Sequence, residues 1–356
     1  MNVDFISALE EIEKEKGIPK CIIIDALESA LISSYKKNFG SSQNVVVEID
    51  NNTGDVKVFA IKSIVDNDEL EDELLQISIE SAKKIDPKLS VGDSIKLEVT
   101  PKDFGRIAAQ TAKQVVIQRI KDAERDVIFE EFINRENEII TGQVQRISKN
   151  NVYIDLGKIE GILPPTEQIP GEIYNQGDRL KLLISEVKKT TKGPQIILSR
   201  ASASLVKRLF EIEVPEIVEG IVEIYSIARE AGSRTKIAVF SKSEEVDALG
   251  ACVGFKGTRV KAIVDELNGE KIDIVIWSKN VDEFIANSLS PSKVLHVFSN
   301  EKEKSALVIV PDHQLSLAIG KEGQNARLAA KLTGWKIDIK SESQYNSING
   351  DGLNES

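Results

Sequence analysis

The hydrophobic pattern changes period twice along the chain and divides it into three parts. Phe5, Ile6, Leu9 and Ile12 recur at helical spacing, Gly17 ends that run, and Pro19 suits the first turn of a second helix reaching about Lys37. Val45 to Ile49 and Val56 to Phe59 are dense in β-branched residues and predict two strands, joined by the turn formers Asn51, Asn52, Thr53 and Gly54. A strand near 94–99 leads through Phe104 and Gly105 into a helix over about 106–133, where no Gly or Pro interrupts apolar residues three to four apart. Residues 1–134 therefore read as an α+β domain that ends in a long connecting helix. The acidic run from Asp66 to Glu73 reads as a solvated face or loop.

Beyond 135 the runs become short. Residues 139–144, 152–157, 180–187 and 195–199 predict strands broken by Gly, Pro and Asn turns, which suits a small closed all-β barrel over 135–201. The third part contains a repeat. Gly254-Phe255-Lys256-Gly257 opens a helix that closes at Gly269 and is followed by Lys271-Ile272-Asp273-Ile274. Gly320-Lys321-Glu322-Gly323 opens another that closes at Gly334 and is followed by Lys336-Ile337-Asp338-Ile339. The offset is 66 residues at the first glycines and 65 at the closing ones, which predicts two copies of one small α+β domain, 202–279 and 280–343. Residues 344–356, rich in Ser, Asn and Gly, are expected to be a disordered tail.

Composition narrows the class. With 41% hydrophobic and 29% charged residues in 356, the chain is expected to fold as several domains. No apolar run approaches the roughly 18 to 20 residues of a membrane span, and the acidic start resembles no signal peptide. Cys21 and Cys252 predict neither a zinc site nor a disulfide framework, so a reducing cytoplasm is expected. With only His296 and His313, no metal or cofactor is expected. The net charge of −11 excludes a protein that coats nucleic acid by bulk attraction. That excess is concentrated early: residues 1–130 carry net −8 and residues 131–200 net +1. Nucleic acid would then be bound by local cations and backbone amides.

The paired glycine turns suit that role. Glycine, without Cβ, lets a sugar–phosphate chain approach closely, and open amides at a helix start favour phosphate oxygens. A helix–GxxG–helix unit is the KH module, whose turn clamps about four nucleotides of single strand. Lys256, Arg259 and Lys261 lie near the first turn, and Lys321 and Arg327 near the second. Arg229, Arg234 and Lys236 form a further cluster at a hairpin tip, to be read either as a plain solvated turn or as an RNA contact. In the barrel, Tyr153 with Arg146, Lys149 and Lys158 could stack and hold bases, or the barrel could serve mainly as a spacer; Tyr174 reads as loop. Arg106, Lys113 and Lys121 fall near one face of the long helix, either an ordinary exposed face or a basic edge for RNA.

Val310-Pro311-Asp312-His313-Gln314-Leu315-Ser316-Leu317-Ala318-Ile319, running on through the second turn to Asn325-Ala326-Arg327-Leu328-Ala329-Ala330-Lys331 and Trp335, resembles the NusA family of bacterial transcription factors. Ala228-Arg229-Glu230, Gly232 to Lys236, Gly269 to Val275 and Gln110 to Val115 are similar to it too, and the likeness covers about residues 1–343. It implies a multidomain α+β chain: an N-terminal RNA polymerase-binding domain, an S1-type OB barrel and two tandem type II KH domains. It implies a monomeric, non-catalytic factor on RNA polymerase core, with nascent single-stranded RNA and other antitermination factors as partners, modulating pausing, termination and antitermination. By position, Gly254, Phe255, Lys256, Gly257, Arg259 and Lys261 would bind RNA at the first turn. Gly320, Lys321, Glu322, Gly323, Gln324 and Arg327 would do so at the second. Arg229, Ser233, Arg234 and Lys236 would face RNA on the first KH domain, and Arg106 and Lys113 would touch a pause hairpin.

Three departures stand out. Ala231 replaces a common proline, Phe255 is bulky for its turn, and no acidic repeat follows the second KH domain, so RNA binding without partner-triggered release is expected. Two other readings remain. An RNA-processing enzyme would need a constellation such as clustered carboxylates for two metals; residues 135–343 show none, the Asp66–Glu73 run is acidic enough but has no evident basic or nucleophilic partner, and no Gly-x-x-x-x-Gly-Lys-Ser/Thr loop occurs. A ribosome-associated RNA-binding protein would leave residues 1–134 unexplained.

Overall fold

In the computed structural model, which describes residues 3–39, 44–50 and 53–350, the chain divides near residue 127 into two units. The first begins with helices α1 (Val3–Lys16) and α2 (Lys20–Phe39). Strands β1 (Val45–Ile49), β2 (Val56–Val65) and β3 (Gln76–Ser78), helix α3 (Ile79–Lys83) and strand β4 (Ser94–Glu98) follow, and then helix α4 (Phe104–Ile133). β2 is long enough to pair with β1 over Val56–Ala60, with β4 over Phe59–Ser63 and, in parallel, with β3 over Ser63–Val65. Ile23, Leu27 and Leu31 of α2 bury against Val47, Val58, Phe104, Ala108 and Ala112. β3 and α3 were not predicted: three residues beside an acidic run carry no readable period. The acidic run is exposed apart from Leu70 and Asp72, in a short turn and loop. Part of the predicted turn, Asn51 and Asn52, lies outside the described residues.

The second unit starts with a closed barrel of β5 (Ile139–Ser148), β6 (Asn151–Asp155), β7 (Glu160–Leu163), β8 (Arg179–Thr190) and β9 (Gly193–Ser199), in the order β5-β6-β7-β9-β8. The end of α4 packs Phe132 against its core of Val144, Ile154, Leu163, Leu182 and Ile184. Lys149 and Asn150 both take positive φ, the two-residue hairpin turn that matches strand twist. β7 was missed because four residues before two prolines are too short to show alternation.

Next come α5 (Ala203–Glu213), α6 (Pro215–Val218), β10 (Val222–Glu230), β11 (Arg234–Ser241), α7 (Ala248–Val253), α8 (Thr258–Glu266) and β12 (Lys271–Ile276). The last set is α9 (Val281–Ser288), β13 (His296–Asn300), β14 (Ser305–Val310), α10 (Leu315–Ile319), α11 (Gln324–Thr333), β15 (Lys336–Ser341) and α12 (Glu342–Gly350). β10 to β12 and β13 to β15 share one topology, an antiparallel pair extended by a parallel strand. The sequence repeat is therefore a repeat of fold. α12 corrects the expectation of a tail without structure from 344. The Gln344 amide donates to Ser341 Oγ, Ser343 donates to Asp312, and Tyr345 stacks on Phe298 at 5.8 Å. Residues 351–356 lie outside the described residues. No helix among the described residues is long and apolar enough to cross a membrane.

Within this unit the domains are joined by specific contacts. Arg200, 1% exposed, bridges Glu172 of the barrel region at 2.6 Å and Glu266 of α8 at 3.2 Å. Leu328 and Leu332 of α11 bury against Ala228, Ala238 and Val275 of the preceding sheet, and Ser226 Oγ donates to the Leu332 carbonyl.

Candidate nucleic-acid interface

The two glycine turns have almost the same backbone. Gly254 sits at φ 74, ψ 174 and Gly320 at φ 77, ψ 171. Lys256 (50, 28) matches Glu322 (53, 27), and Gly257 (77, 15) matches Gly323 (74, 14). In each, the first glycine is required by packing inside the turn. A Cβ on Gly320 would lie 2.8 Å from Asn325 Cβ and backbone N, and one on Gly254 would meet Arg259 Cγ at 2.7 Å. The last glycine faces open space, with nothing within 4 Å of a Cβ at Gly323, so it is required only by its left-handed φ. That open side is where a phosphate chain has room to approach. The amides are less available than expected. Gly257 and Gly323 donate back to Gly254 and Gly320 at 3.1 Å, and Thr258 and Gln324 donate to Phe255 and Lys321.

Arg259 and Asn325 stand at the same offset from the first glycine and do the same work. Arg259 donates to the Ala251 carbonyl at 2.6 Å and pairs with Glu216 at 2.9 Å. Asn325, 3% exposed, donates to Ala318 and Leu289 carbonyls at 3.0 Å each. Arg259 is thus a brace for the turn rather than a free cation. Arg327 is also engaged. Its Nε donates to Glu230 at 2.6 Å, and Gln324 Nε2 donates to Glu230 at 2.9 Å and Ser233 Oγ at 2.7 Å. Hydrogen bonds from Arg327, against a smaller burial effect, hold the Glu230 carboxyl below the usual range. Lys256, Lys261 and Lys321 are exposed, and none enters an ion pair among the described residues. Gly320→Ala should lower the melting temperature and weaken RNA binding together, because the clash falls partly on backbone at a left-handed φ. A scanning calorimetry trace identical to that of the parent chain would contradict this.

The cluster at the hairpin tip is a correction. Arg229 and Lys236 are buried in ion pairs rather than presented at the surface. The Arg229 side chain is 2% exposed, pairs with Glu270 at 2.8 Å and donates to the carbonyls of Arg200 and Ser202. Lys236 is fully buried, on Asp273 at 3.1 Å and the Ser290 carbonyl at 2.7 Å. Arg234 pairs with the same Asp273 at 2.6 Å and stays partly exposed. Their partners, Glu270 and Asp273, lie some 40 residues further on in sequence, and the cluster's local composition gives no sign of them. A cation count at a turn cannot tell a solvated cluster from one neutralised at long range.

Beside the second turn a cleft of about 360 Å³ is lined by Ser233, Arg234, Lys271, Lys321, Gln324 and Asn325. A second, of about 470 Å³, runs along β12 and is lined by Leu249, Ile274, Ile276, Asn287 and Lys293. On the barrel, the Arg146 guanidinium lies 3.6 Å from the Tyr153 ring centroid and is held by Glu160 at 2.8 Å, so the ring face is already covered. Lys158 pairs with Glu131 at 2.7 Å and Lys149 is exposed. Tyr174 lies in a loop, as expected, and is held there by its hydroxyl. Its hydroxyl donates to Glu172, accepts from the Ile169 amide, and burial first, then Glu172, pushes it up. On α4, Arg106, Lys113 and Lys121 are exposed, opposite the buried Ala108 and Ala112. No three His, Cys, Asp or Glu side chains among the described residues are placed to hold a metal.

Residues 4–126 match the family model described as the NusA N-terminal domain, and 134–200 the S1 RNA binding domain. Residues 200–277 and 281–347 match the NusA-like first and second KH domains. A transcription termination/antitermination protein NusA of Bacillus subtilis is 62% identical over 98% of this chain and 93% of its own length. One from Halalkalibacterium halodurans is 60% identical over 98% and 91%. The solution structure of the N-terminal domain of the Bacillus subtilis protein is 58% identical over 35% of this chain and 99% of that one, with a TM-score of 0.32.

Proposed function

Because the chain belongs to the NusA family of transcription termination/antitermination proteins, we propose that it acts without catalysis on transcribing RNA polymerase. Residues 1–134 dock on the polymerase core near the emerging RNA. The barrel (135–201) and two KH domains (202–279 and 280–343) hold the nascent single strand, with Gly254–Gly257 and Gly320–Gly323 as the grips. The protein works as a cytoplasmic monomer together with other antitermination factors. The observation that carries this is the pair of turns with one shared backbone, each with an open glycine and an exposed lysine that enters no ion pair among the described residues. Free cations at spaced turns follow a single strand by touching phosphates without reading sequence. The buried Arg229–Glu270 pair, and Asp273 with the buried Lys236 and the half-buried Arg234, hold the first of these domains in shape.

Arg106 and Lys113 contribute differently, as an exposed basic edge on α4 that meets RNA folding into a hairpin. A pause assay on purified polymerase with a hairpin-forming template tests both parts. The parent chain should lengthen the pause. Arg106→Ala with Lys113→Ala should lose most of that lengthening while still co-purifying with polymerase. If the variant lengthens the pause as fully as the parent, the basic edge has no such role.

A further inference from the structure

The two turns share a backbone and differ in what they present on it. At the second position the first turn carries Phe255 where the other carries Lys321. At the third it carries Lys256 where the other carries Glu322. Phe255 is 80% exposed, and the Lys256 ammonium lies 5.3 Å from its ring centroid. The second turn has one lysine and one carboxylate at its apex, and its neighbouring Arg327 is tied to Glu230. The first turn keeps Lys256 and the exposed Lys261.

We infer that Phe255 stacks on an unpaired base of the RNA whose phosphates the first turn holds, so that the first grip is aromatic and cationic and the second is a weaker phosphate contact. This rests on the reading that the chain binds single-stranded RNA. A ring held out from a phosphate-binding turn has a base within reach whenever the strand is gripped, because successive bases project from the same backbone. Stacking tolerates any base, since each has a π face, and the adjacent ammonium adds attraction for phosphate. The exposed ring packs in no core cluster, and nothing in the turn's closure needs it: Lys321 supports the same backbone.

The test uses the full chain and an unstructured oligoribonucleotide carrying 2-aminopurine at successive positions, titrated at several salt concentrations. Phe255→Ala should weaken binding at least about fivefold at every salt, leaving the salt slope unchanged. It should also remove the fluorescence change at one base position, and Phe255→Tyr should restore both. Lys256→Ala should instead lower the slope by about 0.7. Because the ring is exposed, the melting temperature of Phe255→Ala should equal the parent's. If the parent bound no RNA, the underlying reading would fall and this inference with it. If the parent bound and Phe255→Ala kept both affinity and fluorescence change, only the stacking role would fall. Loss of polymerase association with RNA binding intact would also overturn it, in favour of a protein contact.

Discussion

Arg229→Ala is expected to cost about 3–5 kcal/mol of folding stability, the largest loss of any single change considered. The reason is what remains behind. Glu270, 1% exposed, would keep its carboxylate in the interior with only the Thr235 hydroxyl and Gly232 amide as donors. The carbonyls of Arg200 and Ser202 would lose a donor as well. Arg229→Lys should rescue little, because a lysine cannot give the carboxylate a fork and two carbonyls a bond each at once. Urea unfolding followed by circular dichroism checks this. A midpoint within error of the parent's would mean the pair contributes nothing.

The same pair predicts a pH dependence. Burial pushes Glu270 and Asp273 up, but the Arg229, Thr235 and Gly232 bonds to the first and the Arg234 and Lys236 contacts to the second outweigh it, so both sit below their ordinary values. A carboxyl lowered on folding gives stability that is complete above its unfolded value, about 4, and fades as pH falls through the folded value. Stability should therefore decline on acidification below about pH 4. In Arg229→Ala, Glu270 loses its main stabilising partner, and this part of the decline should shrink.

The second large effect concerns RNA. Lys256→Asp combined with Lys321→Asp places a carboxylate at each apex while leaving both glycine turns intact, since neither lysine enters an ion pair among the described residues. Single-strand affinity should fall by well over about tenfold near physiological salt, and the salt slope should shrink by roughly 0.7 for each lost contact. The melting profile should not move. Filter binding at two salt concentrations checks it, and an unaltered slope would remove both lysines from the interface.

What the sequence made legible was local. The 66-residue repeat, the long α4 and four of the five barrel strands followed from period and glycine placement, because each is set by neighbours a few residues away. The glycine turns were readable for the same reason: Gly254 and Gly320 are fixed by residues five positions on. The residues whose surroundings the sequence did not reveal depend on long-range partners. Arg229, Lys236, Arg259 and Arg327 all read as cations near a turn. Their carboxylates Glu270, Asp273, Glu216 and Glu230 come from other elements, some 40 to 100 residues away. Asn325 was overlooked as a polar residue in a helix start, and only its burial identifies it as the brace of the second turn. α12 was hidden by a Ser- and Asn-rich composition whose capping partner, Asp312, lies 31 residues earlier.

The account stands on the two glycine turns touching RNA. Ultraviolet cross-linking of the full chain to a 4-thiouridine-substituted single strand, with the attached residues mapped by mass spectrometry, tests this most directly. Cross-links should concentrate at 254–257 and 320–323, strongest at Phe255. Cross-links confined to the barrel or to the face of the β10–β11–β12 sheet, with none at either turn, would contradict it.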